Sequence, residues 1–163
     1  MNVAAEFLSP ARPRAMLRLI LVSPGSDGLG SLAAELGALP GIDLIGRAAN
    51  ESSVLRLYFN LSPDLVIVDL RLATDEPARL VGLLQRVAPG AQIVALVPDH
   101  ESMAGRAVRF FGSMTFSSVT ELLAHVERLG RERARTLGGR STGIRTSSTG
   151  DQQDDASQDH RNA

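Results

Sequence analysis

Residues 65–69 read Leu-Val-Ile-Val-Asp, an apolar run that ends in an acidic residue. Continuous apolar runs rich in β-branched residues are typical of strands that are covered on both faces, as in a parallel sheet. Ser62 and Pro63 supply a turn signal directly before the run. The stretch therefore predicts a buried strand with Asp69 at its carboxyl end, where ligands and chemistry gather in open α/β sheets.

Four further strand-like segments alternate with helical patterns along the chain, which is typical of a parallel sheet covered on both faces. The strands are predicted at 17–22, 42–47, 93–97 and 113–116, and the helices between strands at 27–39, 52–59, 77–87 and 101–110. The second strand carries Asp43 and Arg47, which favours an outermost position. We expect an α/β fold, a flavodoxin-like doubly wound five-stranded parallel sheet in the order 2-1-3-4-5 with helices on both faces.

The best-defined helix follows the fifth strand. Ser118 and Glu121 are spaced as a capping box. The apolar residues of one buried face recur at helical spacing, at Val119, Leu122, Leu123, Val126 and Leu129. His125 of this helix is expected at the surface, and the three histidines are too scattered to indicate a metal site.

Composition limits the classes of function. The 163 residues include no cysteine, which excludes disulfides, thiol catalysis and thiolate metal sites. A net charge of −1 gives no general attraction to nucleic acid or to an anionic membrane. The longest strictly apolar run, 93–97, is too short to span a bilayer, and residues 1–14 lack the apolar stretch of a signal peptide. We expect a cytoplasmic protein that contacts neither nucleic acid nor membrane directly.

The chain divides into one domain and two tails. We expect a flexible N-terminal segment at 1–15, a domain at 16–137 and a disordered polar tail at 138–163, because the tail has too few apolar residues to fold. The first part of the tail is basic, and its end, 151–159, is acidic. Such charge runs are usually solvated, so a solubilising role is favoured for the tail.

Two segments, 42–50 and 62–72, resemble response-regulator receiver domains of the CheY-like superfamily that stand in front of helix-turn-helix output domains. The resemblance covers about residues 17–129. It implies that Asp69 occupies the position of the phosphoacceptor, which attacks a phosphohistidine of a histidine kinase or a small phosphodonor while Mg²⁺ neutralises the developing charge. It also implies a place in a two-component or phosphorelay system, with a histidine kinase or another signalling protein as partner.

The chain departs from the receiver pattern at the positions that assist this chemistry. Ser23 and Pro24 stand where receivers have the acidic pair that holds Mg²⁺, and Val97 stands where they have a hydroxyl residue. The conserved lysine of receivers would fall near 116–118, but all 17 basic residues of this chain are arginine. Asp27 is better explained as an N-terminal residue of the first helix. We expect no cofactor, unless Asp69 is phosphorylated with Mg²⁺, and the ligands of such a metal stay unassigned.

Receivers contact partners through the face of their fourth helix, fifth strand and fifth helix. Here that region contains Arg106, Arg109, Phe110, Phe111, Met114 and Phe116. We expect most of the four apolar side chains to pack in the core. Those that do not are candidates to anchor an interface, with the two arginines at its rim. A second copy of the domain is one candidate partner.

We conclude from the sequence that this is a degenerate receiver, or pseudo-receiver, which is not an enzyme and acts by protein contact without the standard Mg²⁺-dependent phosphorylation. Three alternatives stay open: a working phosphoacceptor receiver that uses Asp69, a flavodoxin-like cofactor-binding protein or enzyme, and an interaction module like those that precede pilus-localisation ATPases or enhancer-binding activators. The Gly-rich segment 24–30 matches neither a dinucleotide fingerprint nor a P-loop. No helix-turn-helix pattern follows residue 137, so direct control of DNA is not expected.

Overall fold

The computed structural model of the protein describes residues 15–23, 29–71 and 77–138. Strands and helices alternate along these residues. The strands are β1 (Leu17–Val22), β2 (Ile42–Ala48), β3 (Leu65–Asp69), β4 (Gln92–Leu96) and β5 (Met114–Phe116). The helices are α1 (Leu29–Ala38), α2 (Glu51–Leu61), α3 (Pro77–Val87), α4 (Met103–Phe110) and α5 (Val119–Gly138).

All neighbouring strands pair in parallel, in the order β2-β1-β3-β4-β5. This confirms the predicted flavodoxin-like sheet and its strand order. It also confirms that β2 is an edge strand, and the side chains of Asp43 and Arg47 are exposed there. β3 lies at the centre of the sheet, so it has a strand on each side and helices over both faces.

Alternate residues of β3 enter two separate cores. Val66 and Val68 pack in the cluster beneath α2, α3 and α4, whereas Leu65 and Ile67 pack in the cluster beneath α1 and α5. All four side chains are fully buried. This two-sided burial is the physical reason for the continuous apolar run, since a side chain on either face of a central parallel strand meets a helix layer.

Several helix ends differ from the predicted ones by one to two residues, because local hydrogen bonds determine where a helix begins and ends. α2 begins at Glu51 because Asn50 caps it: the Asn50 side chain accepts the Ser53 N–H at 2.9 Å, and Ser53 Oγ accepts the Asn50 N–H at 3.2 Å. The helix continues to Leu61 and ends where Ser62 adopts a left-handed conformation with φ 48°. The backbone conformation of Ser62 therefore ends the helix.

α4 begins at Met103, two residues after the predicted start. The hydroxyl of Ser102 accepts the Gly105 N–H at 3.1 Å and so acts as the N-cap. β2, β4 and β5 differ from prediction by one residue at one or both ends. Of the predicted first helix, the residues before Leu29 lie outside the described residues, as does Asp27.

The C-terminal half of α5 lies close to the start of β2. A Cβ atom on Gly130 would be 2.9 Å from Ile42 Cδ1 and 3.4 Å from the Pro40 carbonyl oxygen, so a glycine permits this approach. Gly41 has φ +76°, a conformation that favours glycine, and its carbonyl accepts the Leu17 N–H at 2.8 Å. These contacts fix α5 across β1 and β2.

All but one residue of each predicted tail, that is residues 1–14 and 139–163, lie outside the described residues. α5 continues through Gly138, one residue past the predicted domain end. Within the described part of the chain, no helix has the length and apolarity that crossing a membrane requires.

Candidate functional site

Asp69 ends the central strand at the carboxyl edge of the sheet. It is in register with Leu96 of β4, and Leu96 is in register with Phe116 of β5. The pairing with β4 extends one residue further, because the Leu70 N–H donates to the Leu96 carbonyl at 2.8 Å. Three neighbouring strands thus present Asp69, Leu96 and Phe116 in one row at this edge.

Arg71 binds the carboxylate of Asp69 with both arms of its guanidinium. Arg71 Nε donates to Asp69 Oδ1 at 3.0 Å, and Nη2 donates to Oδ2 at 2.8 Å. The Arg71 backbone N–H also donates to Oδ1, at 3.2 Å. The Asp69 side chain is only 11% exposed, so a bidentate cation covers both oxygens of a largely buried carboxylate.

The ion pair raises the pKa of Arg71 above its ordinary value. The largest cause is the hydrogen bond to Asp69. Burial opposes it, and the negative charges of Asp69 and of Glu35 on α1 add to it. The guanidinium is therefore charged under physiological conditions and is available to pair with the carboxylate.

Sequence reasoning missed Arg71 as the cation that pairs with Asp69. Residues two apart on an extended chain point to the same side. The spacing of Asp69 and Arg71 was thus a usable signal, although Arg71 lies just past the end of β3.

The structure places the residues that depart from the receiver pattern around this pair. Ser23 follows β1, is buried, and donates its N–H to the Ala48 carbonyl at 2.9 Å. Val97 follows β4 and is fully buried, and its N–H donates to the Phe116 carbonyl at 2.8 Å. Pro24 lies outside the described residues. Neither Ser23 nor Val97 supplies a carboxylate near Asp69. Val97 also lacks the hydroxyl that the receiver pattern has at its position.

Among the described residues, no three His, Cys, Asp or Glu side chains are grouped closely enough to hold a metal ion. A hard divalent cation prefers several carboxylate or carbonyl oxygens. Asp69 offers two oxygens that Arg71 already binds. The described donors therefore do not fit a conventional Mg²⁺ site.

The comparisons with known proteins concern the fold. No family model matches the chain, and no curated protein matches it in sequence. Solved structures do match. The signal receiver domain of the response regulator NarL from Mycobacterium tuberculosis has a TM-score of 0.58 and 15% identity, over 71% of this chain and 97% of that one.

Two other matches are similar. The isolated REC domain of RcsB from Salmonella enterica serovar Typhimurium, in the presence of the phosphomimetic BeF3-, has a TM-score of 0.60 and 16% identity over 75% of this chain and 98% of that one. The response regulator domain of Thermotoga maritima CheB has a TM-score of 0.56 and 11% identity over 74% and 97%. The chain has the receiver-domain fold. At this level of identity the likeness concerns the fold alone.

In this receiver fold, the position in register with Asp69 on β5 carries an aromatic ring. Phe116 is partly buried in the core cluster beneath α1 and α5. Its ring centroid lies 5.1 Å from that of His125 on α5. The resemblance puts a lysine near this position. In its place the structure has the packing of the Phe116 ring against His125 of α5.

His125 is buried, which corrects the prediction that it lies at the surface. It follows Leu122 by three residues and precedes Leu129 by four, so the helical spacing placed it on the buried face. Arg128 Nη2 lies 2.8 Å from His125 Nδ1. Because arginine only donates, Nδ1 accepts and the proton of the neutral ring sits on Nε2, which is buried without a partner in the described structure.

Burial lowers the pKa of His125 below its ordinary value of 6.5, the positive charge of Arg128 lowers it further, and Glu132 opposes them. The folded protein thus holds this imidazole neutral at a pH where the unfolded chain would protonate it. Stability from this group is present above the unfolded pKa and is lost as the pH falls.

The predicted partner face is largely on the surface. Phe110 is 86% exposed, Met114 45% and Phe111 42%, so core packing does not account for these three, contrary to expectation. Arg106 is exposed on α4. Arg109 is also exposed and donates to the His100 carbonyl at 3.0 Å and to Glu101 at 3.3 Å. Only Phe116 has the expected core role, and the binding role of the face stays a prediction.

The Asp69–Arg71 pair is expected to be energetically coupled. In a double-mutant cycle with Asp69→Ala and Arg71→Ala, we expect a coupling free energy of about 0.5–3 kcal/mol by urea unfolding, since one partner is largely buried. The exposed pair Arg128–Glu132 on α5 is the control and should couple by about 0.5 kcal/mol or less. Equal coupling free energies in the two pairs would contradict the prediction that burial of Asp69 strengthens its pairing with Arg71.

His125 is expected to make the protein less stable in acid. The unfolding free energy should fall below about pH 6.5 more steeply in the natural protein than in His125→Leu, by up to about 1.4 kcal/mol per pH unit for one proton. Urea unfolding between pH 5 and pH 8 measures both slopes. Parallel pH profiles would show that His125 titrates alike in the folded and unfolded states.

Proposed function

We propose that this receiver-like domain transmits a signal in a two-component or phosphorelay system by contact with another protein, without the standard Mg²⁺-dependent phosphorylation of Asp69. The observation that carries this proposal is the bidentate ion pair of Asp69 with Arg71. An incoming phosphodonor needs a carboxylate oxygen free to attack. In this chain both oxygens accept hydrogen bonds from a neighbouring side chain that never loses its charge.

The surroundings of Asp69 support the same proposal. Transfer of a phosphoryl group depends on positive charge and donors placed around the transferred group. Val97 and Phe116 supply neither at the ends of β4 and β5. The Arg71 guanidinium is the cation present, and it neutralises the acceptor in its unmodified state.

The exposed apolar surface of α4 and β5 supports the contact role. Phe110, Met103 and Met114 are exposed at 86%, 90% and 45%, in a chain with only five phenylalanines and four methionines. Aromatic and methionine side chains are enriched at the centres of protein interfaces. A signalling protein, a histidine kinase or a second copy of this domain are the partners we propose for this face.

A titration of the folded protein with Mg²⁺ and beryllofluoride tests the first half of the proposal. We expect the amide resonances of Asp69, Val97 and Phe116 to stay unchanged, because the carboxylate is already paired. Intact-protein mass spectrometry after incubation with acetyl phosphate and Mg²⁺ should likewise show no added phosphoryl group.

Asp69→Asn is the control for this titration. Saturable shifts that appear in the natural protein and vanish in Asp69→Asn would overturn the proposal and establish the working phosphoacceptor instead. Visible absorbance of a bound flavin in the purified protein would favour the flavodoxin-like alternative.

Phe110→Ala tests the second half. We expect it to abolish capture of the partner while changing the unfolding free energy by no more than about 0.5 kcal/mol, since the ring is 86% exposed. Phe59→Ala, which removes a 66% exposed ring from α2, is the matched control. Affinity capture and sedimentation velocity are the measurements. A partner or dimer lost equally in both variants, or in neither, would place the contact elsewhere.

A further inference from the structure

A groove of about 420 Å³ lies between α3 and the end of α4, and Asp69 is not among its lining residues. It is lined by Arg79, Gly82, Gln85, Arg86 and Phe111. The α3 residues recur at positions three to four apart, so they form one face of that helix. The groove is therefore a built feature of two neighbouring helices.

A glycine lets the aromatic wall of this groove pack closely against α3. A Cβ atom on Gly82 would lie 2.9 Å from Phe111 Cζ, so the ring rests against the backbone of α3. Gln85 Nε2 donates to Ser113 Oγ, which ties α3 to the start of β5. Phe111 supplies the apolar wall and, at 42% exposure, leaves part of its ring to a ligand.

Two of the five residues that line the groove are arginines, and none of the five is acidic. α3 and α4 together contain four arginines and no acidic residue. Arg79 and Arg86 have no ion-pair partner among the residues that the structure describes. Arg71, Arg109, Arg128 and Arg131 each pair with a carboxylate. The groove therefore fits an acidic, extended peptide.

The chain carries such a peptide itself. Residues 151–159 contain four aspartates and no basic residue. Arg133, near the end of α5, pairs with Asp64, which directly precedes β3. The end of α5 thus lies at the edge where strands begin, and Phe111 lies at that edge too, shortly before β5.

The connecting length is sufficient. Twelve residues, 139–150, separate α5 from the acidic segment, and an extended chain of that length reaches about 40 Å. A domain of about 100 residues has a radius of gyration near 13 Å. A short tether also gives the segment a high effective concentration at its own domain.

We propose that residues 151–159 dock in cis in the α3–α4 groove, with aspartates against Arg79 and Arg86 and the intervening chain against Phe111. The individual exposed ion pairs are weak and are screened by salt, so docking is reversible and sensitive to ionic strength.

The absence of cysteine makes a direct test available. A nitroxide on Ser157→Cys of the full chain should selectively broaden the amide resonances of Gly82, Gln85 and Phe111 at low salt, and 0.5 M NaCl should restore them. The double variant Arg79→Glu/Arg86→Glu should lose the broadening. The control Arg56→Glu, which removes an exposed charge from α2, should keep it.

Two further samples secure the interpretation. Asp154→Asn/Asp155→Asn leaves the domain untouched and should weaken the broadening, so a folding defect of the arginine variant cannot mimic the result. Spin-labelled chain mixed with isotope-labelled chain that lacks the nitroxide should show no broadening. Broadening in the mixture would mean docking onto a second copy, and uniform or absent broadening in the labelled chain would mean no docking; either overturns the proposal.

Discussion

The structure depends on the complete burial of its central strand. β3 has a strand on each side and a helix layer on each face, so its backbone must be fully hydrogen-bonded and its side chains fully apolar until the sheet ends. Asp69 is the first residue at which a charge is tolerable, and it is still only 11% exposed. A carboxylate in such a place needs a partner. Arg71, two residues further along, supplies it.

Much of the fold could be predicted from local pattern. The alternation of strands and helices indicated a parallel sheet, and the charged residues of β2 placed that strand at an edge, which fits the order that the structure has. Helix ends were less predictable because they depend on single hydrogen bonds. Ser53 completes a cap that a glutamate or glutamine usually completes, and Ser62 ends α2 through its backbone conformation.

The site was predictable in its position but not in its pairing. The register of three strands brought Asp69 level with Phe116, as the resemblance implied, yet the side chain that completes the site came from the next turn of the chain. His125 was predicted at the surface because it is polar, although its helical spacing indicated burial. In the structure its ring packs against Phe116 and is buried. Exposure of Phe110 required knowledge of where α4 ends and how it lies on α3.

The close approach of Gly130 to Pro40 and Ile42 bears on how the protein folds during synthesis. It joins the start of the second strand to the last helix, so the residues in contact are far apart in sequence. Contacts of this kind slow folding, because a long loop must close before the contact forms. A chain emerging from the ribosome exposes the apolar inner faces of β1 and β2 until α5 has been made. The first strands are therefore the segments that most need protection from aggregation while translation continues.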